Sequence, residues 1–147
     1  MVYETPIYII AAHRSPIGLF GGGLKNFTAT DLAGHIAEVT VPETLRPYIG
    51  QVILGQVLQA GCGMNTARQV GLKLGIPKTT PAFTINMVCG SGLKSMTLGS
   101  DAIAQGEANL VLTGGVESMS NAPHYSMDSR FGQKLGDSRL LDAILID

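Results

Sequence analysis

Tryptophan is absent from this 147-residue sequence, and aromatic residues of any kind make up only 5% of it. Charged residues are also few, at 14%. An isolated small domain ordinarily carries more surface charge, so the shortage predicts either a densely buried α/β sheet or a piece of a larger body. Neither sign dominates: 10 Lys and Arg stand against 11 Asp and Glu, for a net charge of -1, and no basic run occurs. That argues against nucleic acid and anionic membrane as partners. Cysteine occurs only as Cys62 and Cys89, without CxxC spacing or a neighbouring histidine cluster. A zinc site and a disulfide framework are therefore not indicated, and a reducing, cytoplasmic compartment fits. No apolar run is long enough to span a bilayer, and the amino terminus lacks the pattern of a signal or transit peptide.

What the chain has in quantity is hydrophobic residues, 45%, and glycine, 19 of them. Its length suits one domain with a real core and is too short for two of ordinary size. The hydrophobic period alternates between extended and helical. Ile7 to Ala12 is a continuous apolar run of strand length, predicting a first strand buried on both faces. After the Gly21-Gly22-Gly23 turn, Thr28 to Asp31 offers an N-cap with an acidic residue in the first helical turn. Leu32, Ile36 and Val39 follow as the apolar face, and Pro42 stops the helix. Gln51 to Leu58 is the next strand. Thr66 to Gln69 reads as a capping box opening a helix with Ala67, Val70 and Leu74 on one face, closed by Gly75 and Pro77. A third strand, Ala82 to Val88, leads into a helix from Ser91 to Gln105, and Leu110 to Thr113 is a fourth strand. The resulting β-α-β-α-β-α-β order predicts a parallel sheet with helices on its faces and right-handed crossovers. From Glu117 onward the rhythm is lost; an apolar run, Leu140 to Ile146, then stops on Asp147, and the chain reads as interrupted.

Cys89 stands where the third strand meets its helix, in Asn86-Met87-Val88-Cys89-Gly90-Ser91-Gly92-Leu93-Lys94. A sulfur at a helix start faces backbone N–H groups and the positive end of the helix dipole, which favour negative charge on it. Gly90 and Gly92 carry no Cβ, so a substrate could approach the backbone closely. Such a junction also lies at a strand's carboxyl end, where ligands of parallel sheets bind. A nucleophile for acyl transfer is the implied role, against the plainer reading of an inert core cysteine.

Other motifs carry less. Gly61-Cys62-Gly63 lacks the third glycine and the following acidic residue of a dinucleotide loop, so it reads as a plain loop with a structural or interfacial Cys62. Gly21 to Gly23 lacks the Lys-Ser/Thr ending of a phosphate loop. Of the three histidines, His13, His35 and His124, only His124 is tempting as a base for Cys89, but nothing in the sequence places its ring within reach. His35, inside the first helix, is expected to be packed or solvated.

The segment Asn86 to Lys94 resembles the nucleophile segment of thiolases, the acetyl-CoA acetyltransferases. Four further stretches are similar in the same order: Arg14 to Phe20 with Asp31-Leu32, Val52 to Gly61, Asn65 to Gln69, and Gly114 to Ser120 running into Ala122 to Tyr125. The resemblance implies a thiolase-like α/β fold, with residues 1–116 as its N-terminal core and 117–147 as the truncated start of a loop domain. It implies Cys89 as the catalytic residue, attacking acetyl-CoA to hold an acetyl thioester that a second, deprotonated acetyl-CoA attacks, giving acetoacetyl-CoA and CoA. Coenzyme A thioesters would be the substrates, with no bound cofactor and no metal, and the full-length form would be a homodimer or tetramer. The family's Gly-His-Pro histidine, its Asn-Glu-Ala-Phe segment and its second cysteine match nothing here, so the chain is expected to be an amino-terminal piece, poorly soluble or oligomeric alone. A ketoacyl synthase of the same superfamily, disfavoured by Gly114 to Met119, is the rival enzyme. A non-catalytic truncated paralogue acting through a dimer surface is the rival outside catalysis.

Overall fold

The computed structural model describes residues 6–146. Its centre is β1 (Gln51–Gly55), paired on both edges, whose Val52, Ile53 and Leu54 are buried under helices on its two faces. β2 (Ala82–Ile85) runs parallel on one side, with Val52 opposite Ala82 and Gly55 opposite Ile85. β3 (Val111–Gly115) runs parallel on the other, with Gln51 opposite Val111 and Gly55 opposite Gly115. The sheet order is β2-β1-β3.

Side chains of a strand alternate between faces, so Val52 and Leu54 point one way and Ile53 the other. On the first face, Val52 and Leu54 meet Ala67, Val70 and Leu74 of the α2 region (α2, Thr66–Lys73), with Ala37 and Val41 of the α1 region (α1, Ala29–Thr40) completing the core. On the second face, α3 (Ser91–Ala104) packs against β1 and β3. Its fully buried Ser95 donates to the Gly114 carbonyl at 2.8 Å and accepts from the Gly114 N–H, fastening the helix to β3. The connections β1-α2-β2 and β2-α3-β3 thus leave on opposite faces, the doubly wound arrangement that right-handed crossovers produce. Among the described residues no helix is long and apolar enough to cross a membrane.

Three local expectations are corrected. Ile7 to Ala12 is not a strand: Tyr8, Ile9 and Ile10 are 74%, 71% and 66% exposed. Strand preference expresses pairing and packing against neighbours, and this run pairs with neither open edge of the sheet. Three parallel strands therefore form the sheet where four were expected. The buried face of α1 is also not Leu32, Ile36 and Val39; it is Ala29, Thr30, Gly34 and Ala37, and Val39 faces solvent. Small residues let α1 approach α2 closely, with Gly34 against the Lys73 side chain. Finally, α2 is capped by Asn65, whose Oδ1 accepts from the Arg68 N–H at 3.0 Å, while Gln69 reaches back to the Cys62 carbonyl at 2.7 Å instead of closing a capping box. The expected Thr28 cap of α1 is present, accepting from the Asp31 N–H.

Asp31 also forms an ion pair with Lys73 across the α1–α2 contact and accepts from the Thr28 hydroxyl. The Lys73 ammonium, and then the Thr28 hydroxyl, hold its carboxyl down from 3.8 to about 2. A depressed carboxyl contributes stability above its unfolded value and loses it as pH falls through the folded one, so the contribution disappears between about pH 4 and pH 2. The pair is exposed and screened, so its effect on stability is small. In Lys73→Met the Asp31 carboxyl should titrate higher by carbon-detected NMR, short of its ordinary value because the Thr28 hydrogen bonds remain; an unmoved titration would dismiss the pair.

The accessible surface is 10019 Å², against about 7,200 Å² for a compact folded chain of this mass. Much of the excess is apolar: besides residues 8–10, Ile17, Leu19 and Phe20 in the N-terminal segment and Phe131, Leu135 and Leu140 near the other end are exposed.

Candidate active site

The site is built where the carboxyl ends of β1 and β3 meet the start of α3. Gly55 ends β1 and Gly115 ends β3, and both lie directly under the first turn of α3. A Cβ on Gly55 would fall 2.5 Å from the Ser91 carbonyl carbon and 2.7 Å from the Gly92 nitrogen; one on Gly115 would fall 2.9 Å from the Gly92 Cα. The absence of side chains at these two strand ends is what lets the helix sit on the sheet. Gly90 and Gly92 are less constrained: a Cβ on Gly90 would meet the flexible end of the Met87 side chain, and one on Gly92 would meet Gly115 at an ordinary 3.6 Å.

Between β2 and α3 the chain makes a sharp elbow, Asn86 to Gly90. Val88 has φ +50°, the only non-glycine residue with positive φ among the described residues. For a β-branched side chain this region is a true outlier, costing about 1–3 kcal/mol and persisting only where its surroundings impose it. Cys89 follows immediately and is exposed, one residue before the Gly90 cap of α3. No side chain caps that helix start.

The loop after β1 is tied to the loop after β3. The Val116 N–H donates to the Gly55 carbonyl at 3.0 Å. The Glu117 carboxylate then accepts from the Val57 and Leu58 N–H groups at 3.0 and 3.1 Å, one oxygen for each. Buried Gln56 donates to the Leu58 carbonyl and the Cys62 sulfur and accepts from the Thr66 hydroxyl, so the loop runs over a satisfied polar support. Val57 to Ala60 line one side of an open 370 Å³ cleft whose other side is Tyr125, Ala143 and Ile146. Sequence reasoning placed Glu117 inside a motif but gave it no role; its signal was an acidic residue two positions after a strand ending in two glycines.

Cys62 is half-buried and held: its sulfur accepts from Gln56 Nε2 at 3.3 Å, and its thiol donates to the Leu58 carbonyl at 3.6 Å. Cys89 has no such partner among the described residues. Limiting iodoacetamide should therefore label Cys89 well before Cys62 on peptide mapping, and equal or reversed labelling would count against Cys89 as the reactive thiol.

The histidines are placed elsewhere. His124 lies in β4 (His124–Tyr125), which pairs antiparallel with β5 (Leu141–Asp142), and its Nε2 is 3.8 Å from the Asp142 carboxylate. His35 is exposed on α1, edge-to-face against Phe27 at 5.8 Å. His13 is exposed in the N-terminal segment. None hydrogen-bonds Cys89 among the described residues.

The chain is similar to known proteins in sequence and in fold. The chain is 48% identical over 145 residues to a Staphylococcus aureus protein named "Probable acetyl-CoA acyltransferase", covering 97% of this chain and 37% of that one. The human mitochondrial 3-ketoacyl-CoA thiolase superposes with a TM-score of 0.85 at 47% identity, over 92% of this chain and 35% of the other. An Ascaris suum Acat5 thiolase solved with coenzyme A superposes with a TM-score of 0.86 at 37% identity, over 95% and 37% respectively. The chain thus spans just over a third of the length of these relatives. The family model described as the thiolase N-terminal domain matches residues 7–147, and the chain belongs to the thiolase family.

Proposed function

We propose that this chain carries the nucleophile of an acetyl-CoA C-acetyltransferase, with Cys89 as the residue that takes the acyl group. The observation supporting this most directly is the exposed Cys89 on a strained elbow at the start of α3, in a chain of thiolase sequence and fold. In the reaction envisaged, the Cys89 sulfur attacks the carbonyl carbon of acetyl-CoA. The tetrahedral oxyanion collapses with cleavage of the C–S bond to coenzyme A, which leaves as thiol and takes up a proton. The Cys89 N–H is the donor this chain offers to that oxyanion. A second acetyl-CoA, deprotonated at its methyl carbon, then attacks the Cys89 thioester, forming the new C–C bond and returning the cysteine thiolate. Thioester exchange suits cysteine, since sulfur is a strong nucleophile when ionised and a good leaving group in the next step.

Coenzyme A thioesters are accordingly the proposed substrates, the cytoplasm the proposed compartment, and a homodimer or tetramer the proposed full-length assembly. Incubation of the purified chain with acetyl-CoA should place one acetyl group, labile to hydroxylamine, on the Cys89 peptide and none in Cys89→Ala. Acetylation confined to lysines such as Lys94, or none at all, would reject the assignment.

A further inference from the structure

We propose that Asn86 and Ser91 are positioning residues for Cys89, gripping the two peptide groups that flank Val88 so that the Cys89 N–H is turned toward the incoming acyl group. The inference deepens the nucleophile reading and rests on it.

The Val88 N–H donates to Asn86 Oδ1 at 2.9 Å. The Val88 carbonyl accepts from the Ser91 hydroxyl at 2.6 Å and from the Ser91 N–H at 3.1 Å. The same hydroxyl oxygen accepts from the Met87 N–H at 2.8 Å. Ser91 is 4% exposed, so its hydroxyl is committed to these partners. Asn86 thus fixes the peptide entering Val88 and Ser91 the one leaving it, and together they impose the left-handed φ of +50°. In a planar trans peptide the N–H points opposite to the carbonyl. Ser91, by drawing the Val88 carbonyl toward the helix, therefore directs the Cys89 N–H away from it. Strain at Val88 and orientation of the oxyanion donor become one device, in which Asn86 and Ser91 touch no substrate and act through the backbone.

Two reagents separate this role from a general one in folding. Acetyl transfer from p-nitrophenyl acetate passes through a tetrahedral oxyanion, whereas alkylation by iodoacetamide is substitution at saturated carbon and develops none. In Ser91→Ala and Asn86→Ala, acylation of Cys89 should fall about tenfold or more, with alkylation changed by no more than about twofold. Ser91→Thr and Asn86→Asp keep the required oxygens and should recover most of the acylation. Glycine adopts positive φ unaided, so Ser91→Ala should cost less in a Val88→Gly background. Cys62 labelling in the same digests reports loosening of the whole fold; where it rises, the Thr and Asp variants and the Val88→Gly pair decide. An unchanged ratio of acylation to alkylation at Cys89 in both alanine variants, or an equal loss of both reactions, would overturn the proposal. A wild-type Cys89 acylated no faster than Cys62 would reject the nucleophile reading instead, and the response of the ratio to substitution would still decide the clamp.

Discussion

Gly55→Ala is expected to lift the start of α3 off the sheet and carry Cys89 with it. The new Cβ would lie 2.5 Å from the Ser91 carbonyl carbon, 2.6 Å from the Ser91 Cβ and 2.7 Å from the Gly92 nitrogen. Two of these atoms are backbone, so no rotamer change relieves the contact, and the strand end or the helix must move. Overpacking of this kind typically costs about 1–3 kcal/mol, and the displaced atoms belong to the turn that holds the Val88 carbonyl. Gly71→Ala is the matched control: its Cβ would meet Val52 Cγ2 at an ordinary 3.6 Å inside α2, where alanine is favoured over glycine by about 1 kcal/mol. Urea denaturation should show Gly55→Ala destabilised and Gly71→Ala unchanged or stabilised, with Cys89 acylation impaired only in the former. A Gly55→Ala chain as stable and as readily acylated as wild type would show that the helix does not depend on this seat.

The second large effect concerns turnover. The purified 147-residue chain should accept an acetyl group on Cys89 yet release no acetoacetyl-CoA above background through repeated cycles. Condensation needs a group to remove a methyl proton and donors to stabilise the resulting enolate, each worth on the order of a hundredfold or more in rate. No acid or base hydrogen-bonds the Cys89 sulfur among the described residues, and His124, the nearest candidate by sequence motif, is paired with Asp142 in the β4–β5 ribbon. Following free coenzyme A release alongside the mass of the Cys89 peptide separates one acylation from many turnovers. Sustained turnover that is lost in Cys89→Ala and also in His124→Ala would make His124 the missing base. Turnover lost only in Cys89→Ala would assign that role to another group on this chain.

The elements governed by local rules were legible in the sequence. Thr28 caps α1, Pro42 follows its end, and the face made by Ala67, Val70 and Leu74 is buried as its spacing requires. The junction that holds Cys89 was legible too, because an apolar run followed by a helical period places it between β2 and α3. What failed depended on partners distant in the chain. Ile7 to Ala12 has every local mark of a strand, yet strand formation needs an edge to join. On α1, the larger residues Leu32 and Val39 outweighed Ala33 and Ala37 in the apolar pattern, although close approach to α2 selects the smaller ones. The Glu117 carboxylate is 59 and 60 residues from the N–H groups it holds, a separation no motif reports. The positive φ of Val88 was likewise hidden, since valine is the last residue composition would nominate for it.

The outer edge of β3 is unpaired among the described residues and lies in a molecule whose surface exceeds what its mass requires. Anything that covers such an edge binds the folded chain and not the unfolded one, so folding and association share one thermodynamic cycle. At a hundred times its dissociation constant, an occupant adds about 2.7 kcal/mol, a large part of the 5–15 kcal/mol or so by which ordinary domains are stable. Were that edge covered, the melting temperature of this chain would rise with the concentration of whatever covers it.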